Sequence, residues 1–357
     1  MRRGLLPGRR PQSIREGSPL KIRLKSFQLT RGAGFSNKQK KFGIVFMGSP
    51  QFACLSFEKL VEKERILAVV TQPDRPVGRG RKVQPTPIKE AAVKRKIPVY
   101  QPEKLMDTGF LTEIANLKPD LIVVVAFGKL LPPALLRIPR ICCINLHPSL
   151  LPKYRGPAPI PWVLINGEKE TGVSVQIVRE KVDSGEIILQ KEVSIDPDET
   201  AGELSERLSL LGAQALVEAI ELIREGKARP HPQKGQVSHA PKITKEMSKI
   251  NWDCSACVIH NLVRALNPTP GAYTAFSWRG RIYSLKIWKT ALPENFSQNN
   301  DGSPGQVIRI HKDVGFLVKT GSGTLLIKEV QLPGKNKISA YDFVKGYHLK
   351  RGFLLGG

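Results

Sequence analysis

Acidic residues are scarce in this 357-residue chain: 31 Asp and Glu stand against 56 Lys and Arg, for a formal net charge of +25. Long apolar runs are missing as well. The longest, residues 121–127, falls far short of the ~20 residues a bilayer-spanning helix requires, which excludes a transmembrane helix. The five cysteines are sparse and odd in number, so no disulfide framework is expected and a reducing compartment is the better fit. Cys254-Ser255-Ala256-Cys257 has no second pair, and His231, His239, His260, His311 and His348 lack ligand spacing, so no metal site is expected. Gly43, Gly48 and Ser49 do not complete a Gly-x-Gly-x-x-Gly run, which argues against a nicotinamide cofactor. What is present, 41% hydrophobic residues over this length, is enough for two or three cores.

The basic excess sits at the ends. Residues 1–41 carry 12 Lys/Arg and one acid, and from residue 242 onward there are 17 basic and 7 acidic residues, leaving only +4 for the middle of the chain. A polyanion lying across a basic C-terminal region is the physical reading, since each neutralised phosphate releases counterions. The first 40 residues mix Arg, Lys, Gly, Pro and Ser without periodicity and hold no apolar stretch of signal-peptide length, so a basic extension without fixed structure is expected over 1–40. Three origins stay open for it: an upstream start site, a nucleic-acid arm or an organellar transit peptide. The first implies a bacterial, cytoplasmic protein, the last a mitochondrial one.

From Phe42 the pattern alternates. Strands are expected at 42–47, 66–71, 121–126, 141–146, 172–178 and 186–193. Helices are expected up to residue 60 and at 88–96, 158–165 and 200–225, giving a Rossmann-like open α/β sheet over 41–229. Gly, Pro, Ser and Lys dominate 230–250, a linker. Beyond it, a short helix at 256–265 precedes strands at 272–278, 281–288, 305–310, 315–320 and 324–330. Short strands so closely spaced predict a small OB-like β-barrel over 251–357. Trp252, Trp278 and Trp288 belong either to its core or to a base-stacking surface.

Asn145 and His147 are two apart on the strand Cys142-Cys143-Ile144-Asn145-Leu146-His147, hence on one face, at the carboxyl edge where α/β sheets place ligands. The amide can donate to a developing oxyanion and the imidazole can move a proton. In isolation the pair reads more readily as a strand-end cap, Asn145, and a hydrogen-bonded turn residue, His147, so the functional reading depends on context. Asp183, in the turn Lys181-Val182-Asp183-Ser184-Gly185-Glu186, can orient and charge the imidazole. No Ser or Cys nucleophile lies close by in sequence, which suggests direct group transfer.

The stretch Asn145-Leu146-His147-Pro148-Ser149-Leu150-Leu151-Pro152-Lys153-Tyr154-Arg155-Gly156, with Asp183-Ser184-Gly185 downstream, resembles the signature of the folate-dependent formyltransferases. The loop Thr71-Gln72-Pro73-Asp74-Arg75-Pro76-Val77-Gly78-Arg79-Gly80-Arg81-Lys82 resembles the tRNA-contacting loop of the family branch that formylates methionyl-tRNA. The likeness continues through Ala126-Phe127-Gly128-Lys129, Ala240-Pro241-Lys242-Ile243 and Asn267-Pro268-Thr269-Pro270-Gly271, and so covers about 42–350. It departs at His239, where the family commonly has an aromatic residue, and over the first 40 residues.

The resemblance implies 10-formyltetrahydrofolate as formyl donor and initiator methionyl-tRNA as acceptor, with Asn145, His147 and Asp183 as catalytic set. It implies folate contacts from Ser149, Leu150, Leu151 and Pro152 and from the backbone of Ala126, Phe127 and Gly128. It also implies tRNA contacts from Arg75, Arg79, Arg81 and Lys82 and from the basic barrel, and a monomer with no metal and no membrane partner. Sugar-nucleotide formylation, hydrolysis of the donor and an RNA-binding protein with an idle α/β domain are the competing readings.

Overall fold

The structure is a computed structural model that describes residues 41–77, 82–293 and 302–356. The expected basic extension over 1–40 lies outside the described residues. The first half runs β1 (Gly43–Gly48), α1 (Cys54–Lys63), β2 (Arg65–Val70), β3 (Arg75–Val77), β4 (Lys82–Gln84), α2 (Pro87–Lys94), β5 (Val99–Tyr100), α3 (Thr108–Asn116), β6 (Leu121–Val125), α4 (Pro133–Leu136), β7 (Cys142–His147), α5 (Pro159–Ile165), β8 (Glu170–Ile177), β9 (Ile187–Ser194) and α6 (Ala201–Arg224). Seven of its strands form one sheet in the order β5-β2-β1-β6-β7-β8-β9. The five from β5 to β7 are parallel, and β8 and β9 are added antiparallel.

The central strands read as uninterrupted apolar runs because both their faces are covered. Ile44, Phe46, Val123 and Val125 pack on one side with Phe57 of α1 and with Leu208 and Leu216 of α6. Val45, Met47, Ile122 and Val124 pack on the other with Phe110 and Ile114 of α3. Three of these helix starts are set by side-chain caps that satisfy otherwise orphaned N–H groups: Thr86 for α2, Asp107 for α3, and a reciprocal Thr200/Glu203 capping box for the 24-residue α6.

The second half consists of α7 (Ala256–Ala265), β10 (Ala272–Trp278), β11 (Arg281–Ala291), β12 (Val307–His311), β13 (Gly315–Lys319), β14 (Thr324–Gln331), β15 (Ile338–Ser339) and α8 (Ala340–Tyr347). Its antiparallel sheet runs β10-β11-β14-β13-β12, with β15 on β14, around a separate core that includes Phe276, Phe316 and Phe343. The C-terminal segment spans the remaining gap. Val307 N–H donates to Phe353 O (2.8 Å), Leu355 N–H to Gly305 O (2.9 Å) and Gly356 N–H to Ala275 O (3.0 Å), tying the β12 side to β10. Trp252 and Trp288 are buried, their indole N–H groups donating to Thr274 and Gln331, which places them in the core.

The two halves meet where α7 faces the loop before α6. His260 is buried, with Nδ1 2.9 Å from Thr290 Oγ1, Nε2 3.2 Å from Pro197 O, and Asp198 Oδ1 at 3.3 Å. Arg264 beside it donates to the carbonyls of Asp196 and Glu199. Burial holds the His260 imidazole below its ordinary 6.5, against the opposing pull of Pro197 O and Asp198. The folded state therefore binds fewer protons at this group. Its contribution to stability is complete above pH 6.5 and is lost as the pH falls toward the folded value. Thermal melts of wild type and His260→Asn between pH 7.5 and 5 test this: wild type should lose Tm more steeply on acidification, and parallel slopes would remove His260 as the cause.

Candidate active site

β7 ends at the carboxyl edge of the sheet, between parallel β6 and antiparallel β8. Asn145 is paired with Val124 on one side and Gln176 on the other, and His147 lies opposite Ser174. Pairing across an antiparallel ladder puts Asn145 and Gln176 on the same face. The Asp183 turn, which joins β8 to β9, folds back onto that face. Its carboxylate accepts at Oδ1 from Gln176 Nε2 (3.0 Å) and at Oδ2 from the Gly156 backbone N–H (2.9 Å).

His147 is only 4% exposed. Its Nε2 lies 2.9 Å from Tyr154 O, an atom that can only accept, so this nitrogen carries a proton in that contact. Nδ1 faces Asp183 Oδ2 at 3.6 Å, beyond direct hydrogen-bond distance and within the span that a shared water or substrate atom bridges. The partly exposed Asn145 amide has no recorded hydrogen bond among the described residues, which leaves its donors available to a ligand. The structure thus brings Asn145, His147 and Asp183 to one edge of the sheet.

Two glycines make this closure feasible. A Cβ on Gly185 would lie 1.6 Å from Ile177 O, so only glycine lets the Asp183 turn pack against β8. Gly156 has φ +124°, and a Cβ there would sit 2.7 Å from Ala240 O, while its N–H is the one that holds Asp183.

Residues 149–152 form the loop that leaves β7. Ser149 is fully buried and donates to Lys153 O (2.7 Å), and Leu151 N–H donates to Ser174 Oγ (3.1 Å). Gln190 donates to both Ser174 Oγ and Leu151 O. Ser149, Leu151 and Pro152 are therefore packed inward, and of the four only Leu150 reaches partway to the surface. At the end of β6, Gln72 Nε2 donates to Phe127 O (2.8 Å), and the Gln72 backbone N–H donates to Ser49 Oγ. Phe127 is buried, while Ala126 and Gly128 on either side are exposed.

Between β2 and α2, in the segment expected to be a tRNA-contacting loop, β3 and β4 form an antiparallel pair. Its root is anchored by Asp74, which accepts from Lys89 Nζ (2.5 Å) and Gln101 Nε2 (2.7 Å); the Lys89 hydrogen bond leads in holding this carboxyl below its ordinary range. Arg75 is exposed on β3, and Lys82 begins β4. Arg79 and Arg81 lie outside the described residues.

Four participants escaped the sequence reading: Gln176, Gln233, the Gly156 N–H and the Tyr154 carbonyl. Gln176 carries a signal in retrospect. Ser174 and Gln176 alternate with Val173, Val175 and Ile177, a polar period of two on a strand whose residues 171–177 are all buried. The backbone groups have no residue-type signature at all. Among the described residues no three His, Cys, Asp or Glu side chains are placed to hold a metal ion, and no helix is long and apolar enough to cross a membrane. All five cysteines are free thiols, and burial pushes the Cys142 thiol up to about 12.

The family model described as formyl transferase matches residues 42–220, and that of the formyl transferase C-terminal domain matches 242–348. The chain is 46% identical over 314 residues to the methionyl-tRNA formyltransferase of Pelotomaculum thermopropionicum, covering 88% of this chain and 98% of that protein. It is 44% identical over 315 residues to the methionyl-tRNA formyltransferase of Clostridioides difficile, covering 88% and 99%. Among solved structures it resembles an N-formyltransferase from Helicobacter canadensis in complex with folinic acid and dTDP-3-aminofucose, with a TM-score of 0.59 and 20% identity over 80% of this chain and 98% of that one. HypX from Aquifex aeolicus in complex with tetrahydrofolic acid is similar at a TM-score of 0.57 and 17% identity over 86% and 48%. With both domain models matched and near full-length relatives well above 40% identity, the chain belongs to the methionyl-tRNA formyltransferase family.

Proposed function

We propose that this protein transfers the formyl group of 10-formyltetrahydrofolate to the amino group of methionine esterified to initiator tRNA. The observation that carries the chemistry is the buried His147 facing Asp183 at 3.6 Å, on the same sheet edge as the open Asn145 amide. The amine attacks the formyl carbon and the carbonyl oxygen takes up negative charge. Asn145 and His147 stabilise that oxygen. Asp183 holds the imidazole and orders the water that carries a proton from the attacking amine to N10. The C–N10 bond then breaks, leaving tetrahydrofolate and the formylated amine.

The folate lies against Leu150 and the backbone of the 149–152 loop, with the exposed edge at 126–128 receiving the pterin. Arg75, Arg79, Arg81 and Lys82 grip the acceptor stem, while the basic residues beyond 242 hold the tRNA body. The division of labour follows the expected segments: chemistry in 41–229, a joining stretch over 230–250 and RNA binding in 251–357. The protein acts as a monomer in a bacterial cytoplasm.

The test supplies 10-formyltetrahydrofolate with, in turn, initiator methionyl-tRNA, free methionine or an amino-sugar nucleotide, and follows tetrahydrofolate release. Release that requires methionyl-tRNA, with KM rising steeply with salt, is the expected result. Replacing Arg79 and Arg81 together by alanine should raise KM for tRNA by roughly tenfold, about what the loss of two phosphate contacts implies, and leave donor binding unchanged. Release driven by the sugar nucleotide, or with no acceptor, would replace this reading with a small-amine transferase or a hydrolase.

A further inference from the structure

The stretch joining the two cores makes hydrogen bonds that a spacer does not need. His231 pairs with Ile187 through two backbone bonds (2.9 and 3.0 Å). Ser238 accepts from Tyr154 N–H at its hydroxyl (2.9 Å) and from Arg155 N–H at its carbonyl (2.9 Å), and Ala240 N–H donates to Arg155 O (2.7 Å). Residues 231–240 are thus bonded at one end to the start of β9 and at the other to the loop that connects His147 to Gly156.

Gln233 lies near the start of this strap with its amide committed at both ends. Nε2 donates to Asp183 O (2.9 Å) and Gly185 O (2.8 Å), with Gln176 Oε1 at 3.3 Å. Oε1 accepts from Arg155 Nε (3.1 Å) and Nη2 (2.6 Å). Asp183 has φ +47°, a left-handed backbone, and its turn is held by Ser184 Oγ donating to Lys181 O (2.8 Å) from within and by Gln233 from outside.

We propose that Gln233 is a positioning residue for the transfer reaction: it fixes the Asp183 turn against Gln176 and Arg155, and so sets the carboxylate toward His147. The inference rests on the formyltransferase reading above. Only an amide fits the position. It presents two N–H groups to two carbonyls and one oxygen to a guanidinium fork. A carboxylate would keep the Arg155 contact, lose both donations and bring a like charge close to Asp183.

The test compares the full-length wild type with Gln233→Ala, Gln233→Glu and Trp162→Phe. The last removes a different strap anchor, the Trp162 Nε1 bond to Pro241 O (2.7 Å), without touching the turn. Three quantities are read: kcat for methionyl-tRNA formylation, Kd for 5-formyltetrahydrofolate, and Tm. In Gln233→Ala, kcat should fall about 10- to 100-fold, the loss expected when a catalytic group is misplaced by about an ångström. Gln233→Glu should fall further, and in both variants Kd should stay within about threefold and Tm within a few degrees. Trp162→Phe should keep kcat within about twofold. If the alanine variant does not fold, the isosteric glutamate carries the test. Wild-type kcat in the Gln233 variants, an equal loss in Trp162→Phe, or a kcat loss tracking Kd and Tm overturns the positioning role while leaving the activity in place. A wild-type protein that does not formylate methionyl-tRNA removes the underlying reading instead.

Discussion

Replacing His147 with alanine is expected to lower single-turnover formyl transfer about 10³-fold, the upper end of the loss typical of one oxyanion donor, and to leave tRNA affinity within a few-fold. The imidazole is buried at the end of β7. Its removal strips Asp183 of the partner at 3.6 Å and leaves the Tyr154 carbonyl without the donor at 2.9 Å. Both losses fall on the transfer step, because the residues proposed to hold tRNA belong to the segment 75–82 and to the chain beyond residue 242, apart from β7 in sequence. Rapid-quench formylation with filter binding on the same preparation separates the two effects. A rate within tenfold of wild type would show that the oxyanion is stabilised without this ring, and a matching loss of tRNA affinity would point to collapse of the β7 end.

How much of this was legible in the sequence follows from where the physical signal resides. The apolar runs at 44–47 and 121–125 announce a doubly covered sheet because burial on both faces forces hydrophobic residues without alternation. Turn chemistry located the strands of the second half well, down to the bounds of β10. α3 and α8 went unread: α3 is nine residues with a glycine at its second position, and α8 follows a two-residue strand, so neither gives the periodic window that marks a helix. Strand direction was invisible too, since the antiparallel addition of β8 and β9 depends on the pairing partner and not on composition.

In the candidate site, Asn145, His147 and Asp183 could be named because side-chain chemistry at strand ends and turns is written in residue type. The groups that hold them could not. Gly156 N–H and Tyr154 O are backbone atoms, and Gln233 sits in a Pro- and Gly-rich stretch whose composition reads as a spacer although its amide bonds the Asp183 turn. Long-range pairing, here between residues 50 apart, is a property of the fold alone.

Asn145 offers the sharper test of oxyanion stabilisation, because two replacements separate donation from charge. The alanine variant removes an amide that is partly exposed and holds no recorded partner among the described residues, so little folding stability depends on it. Its kcat should nevertheless drop by about 10²–10³, the loss typical of one oxyanion donor. Asn145→Asp keeps the size, loses the NH2 donors and places a carboxylate opposite Gln176, whose own amide already serves Asp183. The variant turns stabilisation of a developing anion into repulsion, so its kcat should fall below that of the alanine variant, while Tm stays near wild type in both. KM for the folate donor should change little, since the interaction is made to an oxygen that becomes anionic only as the amine adds. The decisive comparison is the order of the two rates at saturating donor and tRNA. An aspartate variant faster than the alanine variant would mean that no donor is needed at position 145, and the oxyanion would then depend on His147 alone.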